Sequence, residues 1–165
     1  MKNTKLPLLP KEGRNGAPKK PVVLFTIGDT TFAIAAEAVS EIQSYQGPGV
    51  ARQYQKVRRE KLRDGHEYSV VNANQHFRIL PTQSARVLLL AGSRTAVAVD
   101  SIERMAEIAR VLPLPMAFSG EEREWYRGLA LVGGKVVPVV NPESFTALGE
   151  VEFRPAVGAE AGVTA

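Results

Sequence analysis

The side chains best suited to chemistry in this 165-residue chain are two histidines, an acidic cluster and a run of basic residues. His66 and His76 lie ten residues apart, one beside a turn signal and the other in a predicted short helix. A metal-binding or catalytic pair on one helix face needs a spacing of about four residues, or a third ligand. The sequence offers neither, so we interpret both histidines as surface or structural residues.

The acidic and nucleophilic side chains also lack a catalytic pattern. Glu121, Glu122 and Glu124 fall in a segment that follows two prolines, which predicts a solvated loop. Asp100 and Glu103 have the spacing of a helix capping box. The chain has no cysteine, which excludes disulfides, thiolate metal sites and cysteine nucleophiles. The sequence therefore predicts a non-enzymatic protein with no catalytic residue, no metal site and no cofactor.

A basic segment between residues 52 and 63 has two interpretations. It contains Tyr54 and the basic residues Arg52, Lys56, Arg58, Arg59, Lys61 and Arg63. Such a patch on a small β-barrel could hold nucleic-acid phosphates, and this is the alternative function. Strand alternation over 57–63 places Arg59, Lys61 and Arg63 on one face and Arg58, Glu60 and Leu62 on the other. Neither face is apolar, which favours a charged edge strand that resists unwanted pairing or meets an acidic partner, and makes nucleic-acid binding the weaker reading.

The excess of basic over acidic charge lies in two segments. Six of the 21 basic residues lie in 1–20 and six in 51–65, with only three of the 17 acidic residues, so the rest carries nine basic and fourteen acidic residues. The sequence predicts a disordered basic tail over residues 1–20. It predicts one folded domain over residues 21–150 and a flexible tail over residues 151–165. The chain shows neither a secretory signal nor a stretch of about 20 apolar residues. We therefore expect a cytoplasmic protein without membrane insertion.

The sequence repeats itself. Residues Val22 to Ile42 resemble Arg86 to Ile108, and Arg63 to Asn72 match Val132 to Asn141 at an offset of 69 residues. Such a repeat indicates two copies of one supersecondary unit.

Each copy shows the same order of signals. An apolar strand, a Gly-led turn and a return strand come first, with turns at Gly28-Asp29 and Gly92-Ser93. A short helix is predicted next, because Val39 and Ile42, like Ile102 and Met105, are three residues apart. A second hairpin turns at Asp64-Gly65 or Gly133-Gly134, and a closing short helix follows Asn72 or Asn141. The mainly β composition with short helices predicts two β-barrel lobes joined by an apolar seam.

These signals, taken together, resemble the CheW family of bacterial chemotaxis coupling proteins. The resemblance lies in the order strand, Gly turn, return strand and short helix, in the segment Ala96 to Ile102, and in Tyr126 to Ala130 followed by Gly134 to Val140. It spans about residues 21–149. It implies a fold of two intertwined five-stranded β-barrels around a shared core.

The resemblance also implies a function and contact residues. Members of the family are adaptors without an active site that couple the cytoplasmic tip of a chemoreceptor to the regulatory domain of a CheA-type histidine kinase. The chain departs from the family pattern at its first late hairpin, where Asp64 is inserted between Arg63 and Gly65, Ser69 replaces a proline, and Asn72-Ala73 replace an Asp-Leu pair. We expect partner contacts at six residues: Val39, Ile42, Arg63, Ile102, Met105 and Arg127.

Overall fold

The computed structural model describes residues 18–47 and 54–153, in which ten strands and three α-helices form two sheets. The strands are β1 (Lys20–Ile27), β2 (Thr30–Ala35), β3 (Val39–Ser44), β4 (Val57–Lys61), β5 (Glu67–Asn72), β6 (Arg86–Leu90), β7 (Thr95–Val99), β8 (Ser101–Ile108), β9 (Tyr126–Val132) and β10 (Lys135–Val140). The helices are α1 (Ala73–His76), α2 (Glu122–Trp125) and α3 (Pro142–Phe153), and a 3-10 turn spans Ala36–Ala38. The predicted mainly β fold with short helices is confirmed.

The two copies of the repeat exchange strands. One sheet has the order β8-β1-β2-β10-β9 and the other the order β3-β6-β7-β5-β4. The first copy supplies β1 to β5 and the second supplies β6 to β10, so replacing each strand by its counterpart converts one order into the other. We call the first sheet lobe 1 and the second lobe 2. Each lobe joins a hairpin from one copy to three strands of the other, so both copies contribute strands to both lobes.

The glycine-led turns produce the predicted hairpins. β1 and β2 pair antiparallel through Ile27 and Thr30, so Gly28-Asp29 forms a two-residue turn. Gly28 has a φ of 61°, a conformation that costs a residue without Cβ very little. Lys135 pairs with Val132 in the same way across Gly133-Gly134. β4 and β5, and β6 and β7, also form hairpins, but residues 62–66 and 91–94 connect them, so these two connections are longer than a two-residue turn.

The prediction of short helices after β2 and β7 was wrong, because both segments form edge strands. β3 pairs with β6 and β8 pairs with β1, each with an irregularity in register. The shift in β3 makes Ser40 the extra residue, and the shift in β8 makes Glu103 the extra residue. A bulge adds one residue to a strand, so side chains three positions apart fall on the same face. The i, i+3 spacing that predicts a helix here reflects a bulged strand.

Three apolar clusters fill the fold. The shared core lies between the sheets and includes Phe25, Phe32, Leu88, Val97 and Phe145. A second cluster lies on the other face of lobe 1, and a third on the other face of lobe 2. Because both faces of each sheet are covered, consecutive residues of the central strands are buried, as in β7, where all five residues including Thr95 are buried.

The lobes are not fully closed barrels, in contrast to the expectation. No continuous ladder joins β8 to β9 or β3 to β4 within the described parts of the chain. In lobe 1 the segment after β8 forms a single antiparallel bridge between Leu112 and Leu129. In lobe 2 the side chain of Tyr45, just after β3, reaches Arg58 and Glu60 on β4. These contacts connect the two edge strands of each lobe without a continuous ladder, and the edge strands carry bulges or charged residues.

The closing helices of the two copies differ in length. α1 has four residues, whereas α3 has twelve and packs across β4, β5 and β7 of lobe 2. α3 extends to Phe153, three residues into the segment 151–165 that the sequence predicts as a tail. Residues 1–17, most of the predicted basic tail, and residues 154–165 lie outside the described residues.

Candidate partner-binding surface

Ile42 and Met105, two of the expected contact residues, lie on edge strands and point to the same side of their sheets as the shared core. Ile42 on β3 pairs with Leu88, and Met105 on β8 pairs with Val23. Directly paired residues of antiparallel strands point to the same face, and Leu88 and Val23 belong to the shared core. Ile42 is 39% exposed and Met105 is 55% exposed. Each lobe therefore presents an exposed apolar side chain at the rim of the core.

Val39 and Ile102 lie on the same strands as these exposed residues and pack against the shared core. Val39 pairs with Leu90 and Ile102 pairs with Phe25, and both side chains are half-buried against the shared core. The pairs Val39/Ile42 and Ile102/Met105 occupy matching positions in the two copies. We call these four residues the apolar rims.

Arg63 lies apart from the rims, in the turn between β4 and β5. The inserted Asp64 fixes this turn, because it accepts hydrogen bonds from the Tyr68 hydroxyl at 2.6 Å and from the His66 backbone N–H at 2.9 Å. The hydrogen bond from Tyr68 lowers the pKa of the Asp64 carboxyl below its ordinary value. Arg63 is exposed and lines a cleft of about 500 Å³ together with Ser44, at the end of β3.

A largely buried polar network that the sequence does not predict lies beside this cleft. The Tyr45 hydroxyl donates to Glu60 and accepts from Arg58, which also forms an ion pair with Glu60. Only 5% of the Arg58 side chain is exposed. Burial and the neighbouring Glu60 raise the pKa of the Tyr45 hydroxyl, so it remains protonated and donates. The predicted alternation holds from Arg58 to Lys61, with Arg58 and Glu60 directed into lobe 2, but β4 ends at Lys61, so Leu62 and Arg63 lie in the turn instead of on the predicted strand.

Arg127 occupies a third location. It is exposed where β9 and β10 change register, between Tyr126 and Gly128. It lines a groove of about 480 Å³ between the 3-10 turn, the β6–β7 turn and helix α3. We call this the α3 groove. The structure thus distributes the six expected contact residues over the apolar rims, the Arg63 turn and the α3 groove.

The basic segment does not form a uniform patch. Arg58 is buried, and Arg59 forms a 3.2 Å ion pair with Glu67 on the neighbouring strand. Lys56, Lys61 and Arg63 are exposed, while Arg52 lies outside the described residues. Burial removes one of the phosphate-binding candidates, and β4 is an edge strand as predicted.

His76 is a buried structural residue, whereas His66 is exposed. The His76 ring lies 4.9 Å from the Trp125 ring and 5.0 Å from the Phe145 ring, measured between centroids. Ser144 donates its hydroxyl proton to the carbonyl oxygen of Asn141, which leaves its oxygen to accept from His76 Nε2 at 3.4 Å. Burial lowers the pKa of His76 to about 4, and Lys56 and Arg78 act in the same direction.

The acidic candidates have structural contacts. Asp100 accepts hydrogen bonds from the Gly28 backbone N–H at 2.7 Å and the Thr82 hydroxyl at 2.6 Å. It therefore links the β1–β2 turn to the loop that precedes β6 and does not cap a helix. Glu121 forms a 2.8 Å ion pair with Arg78. Across residues 18–47 and 54–153, no three His, Asp or Glu side chains come together as metal ligands.

Comparisons with known proteins agree with this architecture. The crystal structure of the scaffolding protein TtCheW from Thermoanaerobacter tengcongensis is similar with a TM-score of 0.63 and 16% identity, covering 75% of this chain and 90% of that one. No curated protein matches the chain. No helix within the described parts of the chain is long and apolar enough to cross a membrane. The model of the CheW-like domain matches residues 21–149, and the chain belongs to the CheW-like domain family.

Proposed function

We propose that this protein is a non-enzymatic adaptor that couples the cytoplasmic tip of a chemoreceptor to the regulatory domain of a CheA-type histidine kinase. The family match over residues 21–149 supports a chemotaxis scaffold in general terms. The solved neighbour is described as a scaffolding protein. The observation that carries the specific proposal is the matched exposure of Ile42 and Met105 at equivalent edges of the two lobes.

The apolar rims suit a protein interface because they extend a rigid core. Val39 and Ile102 hold the base of each rim against buried side chains, so Ile42 and Met105 are positioned before a partner arrives. Exposed apolar side chains of this kind gain free energy when a partner removes them from water. Arg63 supplies a charge near the end of β3 that orients an acidic partner.

The proposal is tested by calorimetric titration of the full chain with a purified CheA-type regulatory domain and, separately, with a receptor-tip fragment. Ile42→Glu and Met105→Glu are each expected to weaken at least one of the two interactions by tenfold or more. Leu131→Glu is the matched control, since Leu131 is also exposed but lies on β9, which is not one of the two rim strands. Binding of both partners unchanged in both rim variants would refute the proposal.

The role of Arg63 is tested with the receptor-tip fragment. Arg63→Glu is expected to reduce affinity without changing stability, because the side chain is exposed and Asp64 holds the turn independently. Lys61→Glu, two residues earlier and also exposed, controls for the loss of net charge. Equal effects of the two variants would argue for general electrostatic attraction and against a specific Arg63 contact.

A further inference from the structure

The α3 groove has a lining that suits a basic and apolar peptide. Its lining includes the apolar residues Ala38, Leu90 and Pro142 and the acidic residues Glu37, Glu143 and Glu150. Arg127 is the basic residue in the lining, so the groove has a formal charge of −2. No ion pair within 18–47 and 54–153 involves any of the three glutamates. The groove therefore combines apolar surface with acidic groups that remain available.

The described chain begins beside this groove. Val22 on β1 pairs with Ala35, which lines the groove, and the 3-10 turn that follows carries Glu37. Lys19 and Lys20 are exposed at the start of β1. Seventeen residues precede the described part of the chain, and an extended segment of that length spans up to about 56 Å. The segment is therefore attached within easy reach of the groove.

The composition of that segment complements the groove. Residues 1–17 contain Lys2, Lys5, Lys11 and Arg14 against the single acid Glu12, a net charge of +3. They also contain the apolar residues Leu6, Leu8 and Leu9 in a run interrupted by two prolines. The exposed apolar pair Leu131 and Val136 is a less suitable site, because Lys135 adjoins it in sequence and would repel the segment.

We propose that residues 1–17 dock into the α3 groove of the same chain. The lysines and Arg14 meet Glu37, Glu143 and Glu150, and the leucines cover the apolar residues of the groove lining. Covalent attachment raises the local concentration of the segment at the groove to about the millimolar range, so a weak interaction suffices. Surface ion pairs weaken as salt is added, so docking is expected to be salt-sensitive.

The test uses the full chain, which has no cysteine of its own. Thr4→Cys provides a unique attachment point for a nitroxide spin label, and amide NMR signals report which residues lie near it. The proposal expects a selective loss of signal intensity in Ala35–Ala38 and in Thr146–Glu150 that salt diminishes. Uniform signals, or a loss confined to another face, would overturn it.

Two charge-reversal variants separate docking from other effects. The triple change E37K/E143K/E150K should restore the lost signals, whereas E122K/E124K, which reverses exposed acids outside the groove lining, should leave the loss unchanged. The change K2E/K5E/K11E/R14E should also restore the signals and alters no described residue, so it decides the question even if the triple variant fails to fold. The last control mixes two kinds of chain. One carries the spin label but no isotope enrichment, and the other is isotope-enriched but carries no spin label. A loss of signal in that mixture would place the segment in a second copy and refute docking within one chain.

Discussion

The Ser69 hydroxyl donates a 3.1 Å hydrogen bond to the carbonyl oxygen of Gly149, 80 residues later in the chain. Ser69 lies on β5 and Gly149 in the last part of α3, so this contact holds the helix against lobe 2. A Cβ at position 149 would lie 2.1 Å from Thr95 Oγ1. The helix therefore approaches the sheet at a distance that only glycine permits.

Gly149→Ala is expected to destabilise the protein by about 1–3 kcal/mol, because the added methyl group overpacks this contact. The measurement is the free energy of unfolding in urea. Thr95→Ala removes the closest atom, so the double variant T95A/G149A should lose less than the sum of the single variants. Strict additivity would contradict the close approach.

Glu60→Ala is expected to cost about 3 kcal/mol, because it leaves the buried Arg58 guanidinium without its ion-pair partner. Glu67→Ala is the matched control, since Glu67 pairs with the neighbouring Arg59 at an exposed position. Its cost should stay below about 1 kcal/mol. Equal unfolding free energies for the two variants would show that the Tyr45 network contributes little.

His76 makes stability depend on pH. Its pKa of about 4 in the fold lies below the ordinary value of 6.5, so between these values the unfolded chain binds a proton that the folded chain does not. Stability from this group is therefore present above pH 6.5 and is lost as the pH falls toward 4. At pH 4.5 the loss relative to pH 7 is about 2.5 kcal/mol.

The variant His76→Phe tests this assignment. Phenylalanine keeps an aromatic ring among Trp125, Phe77 and Phe145 but cannot be protonated. Unfolding at pH 7 and pH 4.5 should show a smaller decrease for the variant than for the original chain. Glu121, Glu124 and Glu143 line the adjoining cavity and remain in both proteins, so the difference isolates the histidine. Identical decreases would show that His76 does not titrate in this range.

The exchange of strands predicts how the chain behaves when it is divided. The fragments 1–82 and 83–165 each contain one complete copy of the repeat, but each lobe needs strands from both. Neither fragment alone should unfold cooperatively as a monomer, and an equimolar mixture should form a one-to-one complex. Circular dichroism and size-exclusion chromatography measure both effects. A monomeric fragment with its own cooperative transition would contradict the exchange.

The hairpins could be predicted from the sequence because their signals are local. A Gly-led turn between two apolar runs determines its own pairing, and Tyr126–Val132 and Lys135–Val140 have the predicted bounds. The edge strands β3 and β8 could not be predicted in this way. Their side-chain spacing matches one turn of a helix, and only pairing with distant strands shows that Ser40 and Glu103 are bulged.

The sequence predicts Ile42 and Met105 as members of short helices, yet they lie at exposed, matching positions of strands. The Tyr45 network was missed because burial of Arg58 depends on how lobe 2 folds back on itself. A charged residue in an edge strand gives no sequence signal that distinguishes an inward from a solvent-facing side chain.

The closing helices of the two copies differ in length, and this difference makes the two lobes of the duplicated fold unequal. α3 covers Ser69 and Thr95 in lobe 2, whereas the helix of the first copy ends after one turn, at His76, and Arg78 two residues later has a φ of 60°. Lobe 1 also exposes the apolar side chains Leu131 and Val136. Two identical halves would offer one docking surface twice, but these halves differ. A partner that contacts α3 can therefore bind one lobe and not the other, which gives such a complex a single orientation.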